Sequence, residues 1–238
     1  MASGAETGVV MPDAGLRFWA AAPSPNRGGT CRVPGDVRGI VIHSVEGTMA
    51  SAVATFAKVG ASSAHYGIDT DGTVVAFVPE GDVAFHVAAF GNRPALNRAR
   101  PEWLPAYDGR WSAVNACTVG IELAGFAGRA FSAAQYASLG ALCAGIATRW
   151  GFVPDASRVV SHASLQSDRS DPGESFDWEA LFAAVQASLP TAATVSDGDR
   201  EILEVVRGLG ADAAGVRGWV ERLGAYEAQG QSPEAPST

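Results

Sequence analysis

Three short apolar runs rich in β-branched residues constrain the fold of this chain more than any other feature. They are VRGIVIHS at 37–44, CTVGIELAG at 117–125 and SRVVSHA at 157–163. Runs that stay apolar without alternation are typical of strands covered on both faces. Stretches with helical spacing follow each of them, at 47–61, 132–151 and 177–189. Strands that alternate with helices predict an α/β layer architecture.

The ends of the three predicted helices carry recognisable signals. The first helix closes at Gly60. The second is capped by Ser132, whose hydroxyl can accept from a backbone N–H of the first turn, and it ends before Gly151. The third is capped by Asp177 and stops before Pro190, which has no N–H to donate.

A hairpin is predicted between the first two runs. In SAHYGIDTDGTVVAFVP, at 63–79, two β-rich segments flank Asp71-Gly72, which is a strong turn signal. The hairpin adds antiparallel pairing to an otherwise parallel sheet. The expected fold class is therefore α/β, with a central mixed β-sheet flanked by α-helices.

The chain divides into one main domain with flanking segments. Residues 1–35 are rich in Gly, Pro and Ala and read as irregular. Beyond the domain, apolar residues at helical spacing predict a small C-terminal helical hairpin. The expected boundaries are an irregular N-terminal segment at 1–35, the domain at 36–190, a linker at 191–198, the hairpin at 199–227 and a disordered tail at 228–238.

Composition excludes several classes of function. With 17 Lys and Arg against 25 Asp and Glu, the net charge is −8, which suits neither nucleic acid nor an anionic membrane surface. No stretch reaches the roughly 20 apolar residues of a membrane span, and the N-terminus lacks the pattern of a secretory signal. The three cysteines are far apart, so neither a disulfide framework nor a Cys-rich zinc site is expected.

Polar residues end the predicted strands. His43, Glu122 and His162 follow apolar runs, and Asp171 lies in a turn-rich loop soon after His162. Ligands tend to gather beyond the carboxyl ends of strands in α/β sheets. A strand-end histidine can equally be a hydrogen-bonded structural side chain. Two imidazoles and one carboxylate could also form a three-ligand zinc site with a fourth position left for water.

Five segments in register resemble a known family. They are GIVIHSVEGT at 39–48, SSAHYGIDTDGT at 62–73, AFHVAAFGN at 84–92, TVGIELAG at 118–125 and SHASLQSDRSDPGESFDW at 161–178. Together they resemble the type 2 N-acetylmuramoyl-L-alanine amidases, a superfamily that includes amidase-type phage lysozymes and the peptidoglycan recognition proteins. The resemblance covers about residues 36–190 and implies that superfamily's fold.

The resemblance also implies the site. His43, His162 and Asp171 match the ligands of one Zn²⁺ per chain, and Glu122 matches the general base of the bacterial branch. Hydrolysis of an amide needs such a base to take a proton from water and pass it to the leaving amine.

The chain departs from the family at two positions. Ala64 precedes His65 where some phage relatives carry a catalytic Tyr, so that variant of the mechanism does not apply. Arg169 stands two residues before Asp171, where many relatives have Lys. Arginine cannot shuttle protons but can hydrogen-bond a developing oxyanion. Arg169 is therefore either a transition-state stabiliser or a solvated loop side chain.

Four further residues are candidates for substrate binding. His86 matches a family histidine near the substrate groove, and Asn92 matches a nearby polar position. Trp103 and Trp111 lie in the long 90–116 loop, where they could stack on sugar rings or pin the loop to the domain.

The expected function is zinc-dependent hydrolysis of the amide between N-acetylmuramic acid and L-alanine of the stem peptide, with bacterial peptidoglycan as partner. A bacteriolytic phage endolysin released through a holin is the first expectation. The alternatives are a cytoplasmic wall-recycling amidase and a recognition protein that binds peptidoglycan without cutting it. The sequence contains no GxSxG motif, so a serine hydrolase is not expected. A monomer is expected, or a dimer formed through the hairpin.

Overall fold

The computed structural model describes residues 22–28, 32–33, 35–87, 102–104, 112–166 and 168–189. The strands are β1 (Arg27–Gly28), β2 (Gly39–Ser44), β3 (Tyr66–Ile68), β4 (Val74–Ala76), β5 (Val83–Ala84), β6 (Thr118–Leu123) and β7 (Val159–Ser161). The helices are α1 (Met49–Phe56), α2 (Ser112–Ala116), α3 (Ala133–Trp150), α4 (His162–Leu165) and α5 (Trp178–Ser188). The predicted linker, hairpin and tail at 191–238 lie outside the described residues.

A five-stranded mixed sheet forms the centre of the fold, which confirms the predicted class. Its strand order is β4-β3-β6-β2-β7. Strands β3, β6, β2 and β7 run parallel, and β4 pairs antiparallel with β3. The predicted hairpin is the β3–β4 pair, in which the Asp69 N–H donates to the Thr73 carbonyl across the turn. A separate two-stranded pair joins β1 to β5.

The two faces of the central sheet carry different kinds of side chain. On one face, alternate residues such as Ile42 and Ile121 pack against α3 and α5 in the largest apolar cluster. Their neighbours His43 and Glu122 are cross-strand partners, so their side chains share the other face. Apolar positions thus build one face, while polar groups reach the second face at the carboxyl ends of β2 and β6.

The predicted caps of the longer helices are present. Ser132 and Gln135 form a capping box at the start of α3, and Gly151 ends that helix in a left-handed conformation with φ of 76°. Asp177 accepts from the Ala180 N–H at the start of α5. These local signals fix the helices that cover the apolar face.

The first helix is shorter than its sequence pattern predicts. It ends at Phe56 rather than at Gly60. The cause is Asn26, whose side-chain amide donates to the carbonyls of Phe56 (3.0 Å) and Lys58 (2.8 Å). A residue 30 positions away in the chain therefore replaces the last helical turn.

Within the described part of the chain, no helix combines the length and apolar character needed to cross a membrane.

Helices α3 and α5 touch most closely at Gly140. A Cβ atom placed there would lie 2.4 Å from the Ala184 Cβ and 2.6 Å from the Ala184 carbonyl carbon. Contacts this short require a backbone shift, because one of the atoms involved is backbone. The absence of a side chain at Gly140 sets the distance between the two helices.

We expect Gly140→Val to lower the free energy of unfolding by about 1–3 kcal/mol, the usual cost of overpacking. Ala137→Val is the matched control, since Ala137 is exposed on the same helix. The control carries only the propensity cost of a β-branched residue, under about 0.7 kcal/mol. Urea-induced unfolding measures both. Equal losses in the two variants would contradict close packing at Gly140.

Candidate metal centre

Three separate elements bring His43, His162 and Asp171 together. His43 is the fifth residue of β2, and His162 begins α4 directly after β7. Because Ile42 pairs with Ser161 in the parallel register, the two histidines leave neighbouring strands side by side. The loop after α4 then returns, and the Ala163 N–H donates to the Asp171 carbonyl at 3.0 Å.

The three potential ligand atoms form a compact triangle. His43 Nδ1 lies 3.0 Å from His162 Nδ1 and 3.2 Å from Asp171 Oδ2. His162 Nδ1 lies 3.0 Å from the same carboxylate oxygen. Metal–ligand bonds of 2.0–2.1 Å in a tetrahedral zinc site give ligand separations of roughly 3.3 Å. The triangle therefore fits one face of a tetrahedral zinc site, with the fourth corner left for another ligand.

The hydrogen bond on the far side of His162 fixes where that ring carries its proton. His162 Nε2 lies 2.6 Å from Gln166 Oε1, an oxygen that can only accept. The Gln166 amide nitrogen in turn donates to Asp168 Oδ1 at 3.2 Å. A neutral His162 thus holds its one proton on Nε2 and presents a bare Nδ1 to the triangle, as a metal ligand must.

Electrostatics favour the same assignment for the other two ligands. Burial, together with the nearby His162 and Arg169, lowers the pKa of His43 to about 4, against the opposing effect of Asp171. Burial would raise the pKa of Asp171, but the hydrogen bonds and the positive charge that His162 and His43 supply when their Nδ1 atoms are protonated hold that pKa well below its ordinary value. A neutral imidazole and an ionised carboxylate are the forms that coordinate a metal. Lone pairs this close would repel one another without a cation between them.

Glu122 lies beside this triangle. It pairs with His43 across β2 and β6, and strands in a sheet are about 4.8 Å apart. Burial raises the pKa of Glu122 from 4.5 to about 8, with smaller contributions from the negative charges of Asp171 and Glu46. Among the described residues, its carboxyl group has no hydrogen-bond or ion-pair partner. A buried carboxyl group with a strongly raised pKa and no partner, beside a candidate metal centre, is a candidate functional group.

A small pocket opens next to Glu122. Its volume is about 170 Å³, and it lies between α1 and the end of the sheet. Hydroxyl groups line much of it, together with three apolar side chains; the lining residues are Ser44, Val45, Ser51, Ala52, Thr55, Phe56, Ser62 and Glu122. A larger cavity of about 460 Å³ lies at the edge of β7 near Trp178 and Phe182, and none of the triangle residues lines it. Of these two pockets, only the smaller one includes Glu122 in its lining.

The other predicted site residues lie in different places. Arg169 is exposed on the loop that carries Asp171, and its backbone N–H donates to the Gln166 carbonyl at 3.1 Å. His86 is buried, with Nδ1 at 3.1 Å from His43 Nε2, so the structure puts it behind a ligand and not in a substrate groove. Asn92 and Trp111 lie outside the described residues.

The position of Trp103 favours the second of its two expected roles, which is attachment to the domain. Its indole N–H donates to the Ser157 carbonyl at 2.6 Å, and Arg158 lies over its ring. The ring also fills the space above Gly39, at the start of β2. That end of the strand is about 13 Å from His43 at 3.3 Å per residue. Trp103 therefore holds its loop to the domain at the end of the sheet away from the triangle.

Two residues that bear on the site, Gln166 and Thr118, were not identified from the sequence. Gln166 supports His162 from four positions along the chain, a spacing that could have indicated it. Thr118 contacts His86 across the fold and gave no local signal. Glu46 has a positive φ of 54°, and its carboxylate accepts from the Ser44 hydroxyl and the Ala127 N–H, both at 2.7 Å. That strained residue fastens the end of β2 to the neighbouring loop.

Comparison with known proteins gives the same family from sequence and from fold. The family model described as N-acetylmuramoyl-L-alanine amidase matches residues 33–174. The chain is 32% identical over 127 residues to 1,6-anhydro-N-acetylmuramyl-L-alanine amidase AmpD of Citrobacter freundii, which covers 53% of this chain and 58% of AmpD. This chain therefore spans a little over half the length of that curated relative.

Solved structures agree with that match. A selenomethionine derivative of AmpD is 25% identical, with a TM-score of 0.51, and the match covers 72% of this chain and 95% of that one. The amidase AmiD from E. coli shares the fold at 22% identity and a TM-score of 0.50, covering 72% of this chain and 65% of AmiD.

The raised pKa of Glu122 predicts a pH-dependent stability in metal-free protein. Between pH 4.5 and about 8 the folded chain keeps a proton on Glu122 that the unfolded chain releases. The free energy of unfolding should therefore fall as pH rises through this window, by at most about 1.4 kcal/mol per pH unit from this group. Glu122→Gln removes that contribution, so the variant should gain stability relative to the parent as pH rises.

Urea unfolding in the presence of a chelator, at several pH values across the window, measures the difference. Glu174→Gln is the control, because Glu174 is exposed and should leave the pH dependence unchanged. A stability difference between parent and Glu122→Gln that stays constant with pH would contradict the assignment.

Proposed function

Because this chain belongs to the N-acetylmuramoyl-L-alanine amidase family, we propose that it hydrolyses the amide between the lactyl group of N-acetylmuramic acid and L-alanine. The observation that carries the proposal is the triangle of His43, His162 and Asp171 with Glu122 beside it. A recognition protein that only binds peptidoglycan does not need a complete ligand set next to an unpaired carboxyl group. The geometry therefore favours an enzyme.

We assign one Zn²⁺ per chain to the ligand triangle. His43 Nδ1, His162 Nδ1 and Asp171 Oδ2 would hold it, since the separations and the bare nitrogens suit tetrahedral coordination. When bound, zinc would polarise the scissile carbonyl and make a water molecule more acidic.

Glu122 is the proposed general base and acid. Its carboxylate would take a proton from the attacking water and then give that proton to the leaving amine of L-alanine. The oxygens of its carboxyl group are available for this task, since no neighbour among the described residues forms a hydrogen bond or ion pair with them. A pKa near neutrality serves both directions of transfer.

Arg169 is the proposed stabiliser of the developing oxyanion. It lies on the loop between His162 and Asp171, and its charge reaches His43. An arginine keeps its proton, so it can donate hydrogen bonds but cannot act as the acid. Its exposure suits a side chain that contacts substrate at the mouth of the site.

Two substrates are candidates. Intact peptidoglycan is the substrate expected of an endolysin. Soluble 1,6-anhydro-muramyl peptides are the second, because the relative that is 32% identical is named a 1,6-anhydro-N-acetylmuramyl-L-alanine amidase. Both contain the same amide, so the proposed chemistry is common to them.

Product analysis tests the function. Zinc-loaded protein should release new L-alanine amino termini without new reducing sugar ends, from cell walls, from anhydro-muramyl peptides or from both. Faster turnover of walls indicates the endolysin role, and faster turnover of the soluble peptides indicates recycling. Reducing ends without amines would point to a glycosidase, and no product from either substrate would overturn the proposal.

Two variants separate metal binding from proton transfer in that assay. Glu122→Gln should retain zinc but lose about 10²–10⁴-fold in kcat, the usual contribution of general acid–base catalysis. His162→Ala should lose zinc and activity together. Full activity in either variant would contradict the role given to that residue.

Arg169→Ala should lower kcat about 10²–10³-fold with unchanged zinc content, because only the oxyanion contact is lost. Arg169→Lys should restore part of the rate, since the charge returns without the planar fork of donors. Arg38→Ala is the control, as Arg38 is an exposed arginine before the opposite end of β2. Equal rates in Arg169→Ala and Arg38→Ala would show that Arg169 is a solvated loop residue.

A further inference from the structure

A buried chain of hydrogen bonds lies behind His43, on the side away from the ligand triangle. His43 Nε2 is 3.1 Å from His86 Nδ1, and His86 Nε2 is 3.1 Å from Thr118 Oγ1. Thr118 Oγ1 is 2.7 Å from the Val114 carbonyl oxygen. His43, His86 and Thr118 are all buried, so water does not compete for these bonds.

The hydrogen bond from Thr118 to the Val114 carbonyl fixes the direction of the other two hydrogen bonds in this series. A carbonyl oxygen only accepts, so the one proton of the Thr118 hydroxyl goes to Val114. Thr118 Oγ1 must then accept from His86, which places the His86 proton on Nε2. A neutral His86 is left with a bare Nδ1 that accepts from His43 Nε2.

Neutral His86 is the form that this environment favours. His86 is buried, and among the described residues its ring nitrogens contact only His43 and the Thr118 hydroxyl, so a charged ring would have no counter-ion. A neutral imidazole has one donor and one acceptor nitrogen, so it transmits the direction set at Thr118 without ambiguity.

Strand β6 provides the room for this arrangement. Thr118, Gly120 and Glu122 alternate along the strand and therefore share one face. A Cβ atom at Gly120 would lie 2.4 Å from Cγ and 2.7 Å from Nδ1 of His86. The missing side chain at Gly120 leaves room for the imidazole between Thr118 and the candidate metal centre.

We propose that Thr118 and His86 are positioning residues that hold His43 in the tautomer with its proton on Nε2 and a bare Nδ1 toward the ligand triangle. Gln166 does the same for His162 by a single bond, so each histidine is oriented from behind. The zinc-affinity part of this inference rests on the proposed function, whereas the tautomers belong to the metal-free chain.

The structure also explains why the support for His43 is longer than that for His162. His162 begins a helical turn, and Gln166 at its end lies within reach of the ring. His43 lies inside the sheet, where its own strand offers no polar side chain on that face. Support must therefore come from β6 and from His86, the residue that follows β5 by two positions.

Conservative pairs of variants test the inference through zinc affinity, measured by competition with a chelator. Thr118→Val removes the acceptor and should weaken zinc binding about 10-fold, while Thr118→Ser keeps the hydroxyl and should remain within about twofold of the parent. His86→Ala should weaken binding about 10–100-fold. Thr148→Val on α3 is the matched control, because its hydroxyl also donates to a carbonyl but lies far from the site.

Nitrogen-15 NMR of metal-free protein reads the tautomers directly. We expect protons on Nε2 of both His43 and His86 in the parent and in Thr118→Ser, and loss of that single tautomer in Thr118→Val. A proton on His86 Nδ1 in the parent, or equal zinc affinity in Thr118→Val and Thr118→Ser, would overturn the inference. A parent that shows the expected tautomers but binds no zinc would instead overturn the proposed function alone.

Discussion

The parallel register between β2 and β6 is the constraint on which the rest of the structure depends. It pairs His43 with Glu122 and, one residue earlier, Ile42 with Ile121. Because side chains alternate along a strand, this single register places two polar groups on one face and two core residues on the other. A slip of one residue would bury the carboxyl group under α3 and expose the isoleucine. Fold stability and site geometry are therefore fixed by the same hydrogen-bond ladder.

The candidate metal centre is held from outside rather than by bonds among its own ligands. Three lone-pair atoms lie within 3.2 Å of one another, an arrangement that is unfavourable without a cation. Its persistence needs supports that do not depend on the metal: Gln166 behind His162, His86 behind His43, and the Ala163 N–H on the Asp171 carbonyl. These contacts offset the local repulsion and leave the ligand atoms oriented in advance, which lowers the cost of ordering them on binding.

The sequence predicts those parts of the fold whose causes are local. The strands ending near His43 and His162, the cap at Ser132 and the turn at Asp71-Gly72 follow from periodicity and from side-chain chemistry within a few residues. The end of α1 could not be predicted, because Asn26 replaces its last turn from a distant segment. Motif resemblance indicated the triangle, but no pattern along the chain gives the distances within it.

The side chains whose roles the sequence could not decide are those placed by contacts between distant segments. Trp103 is an aromatic side chain of the kind that stacks on sugar rings, yet its position depends on its contacts with Arg158 and Ser157. His86 lies in a matching motif, but the direction of its ring depends on the missing Cβ at Gly120 and on the Thr118 hydroxyl. Both outcomes are decided by contacts between segments far apart in the chain, which periodicity cannot reveal.

The two carboxyl groups of the site differ in protonation because their surroundings differ. Asp171 contacts two imidazoles, which hold its pKa low despite burial, whereas Glu122 has no such partner and burial raises its pKa to about 8. Pairs of carboxyl groups whose pKa values are driven apart are typical of sites where one group coordinates and the other moves protons. A divalent cation beside Glu122 would favour its charged form and lower its pKa by roughly 1–3 units. In the proposed loaded state Glu122 would thus become a base near neutral pH, so metal occupancy and base activation are coupled by the same charge.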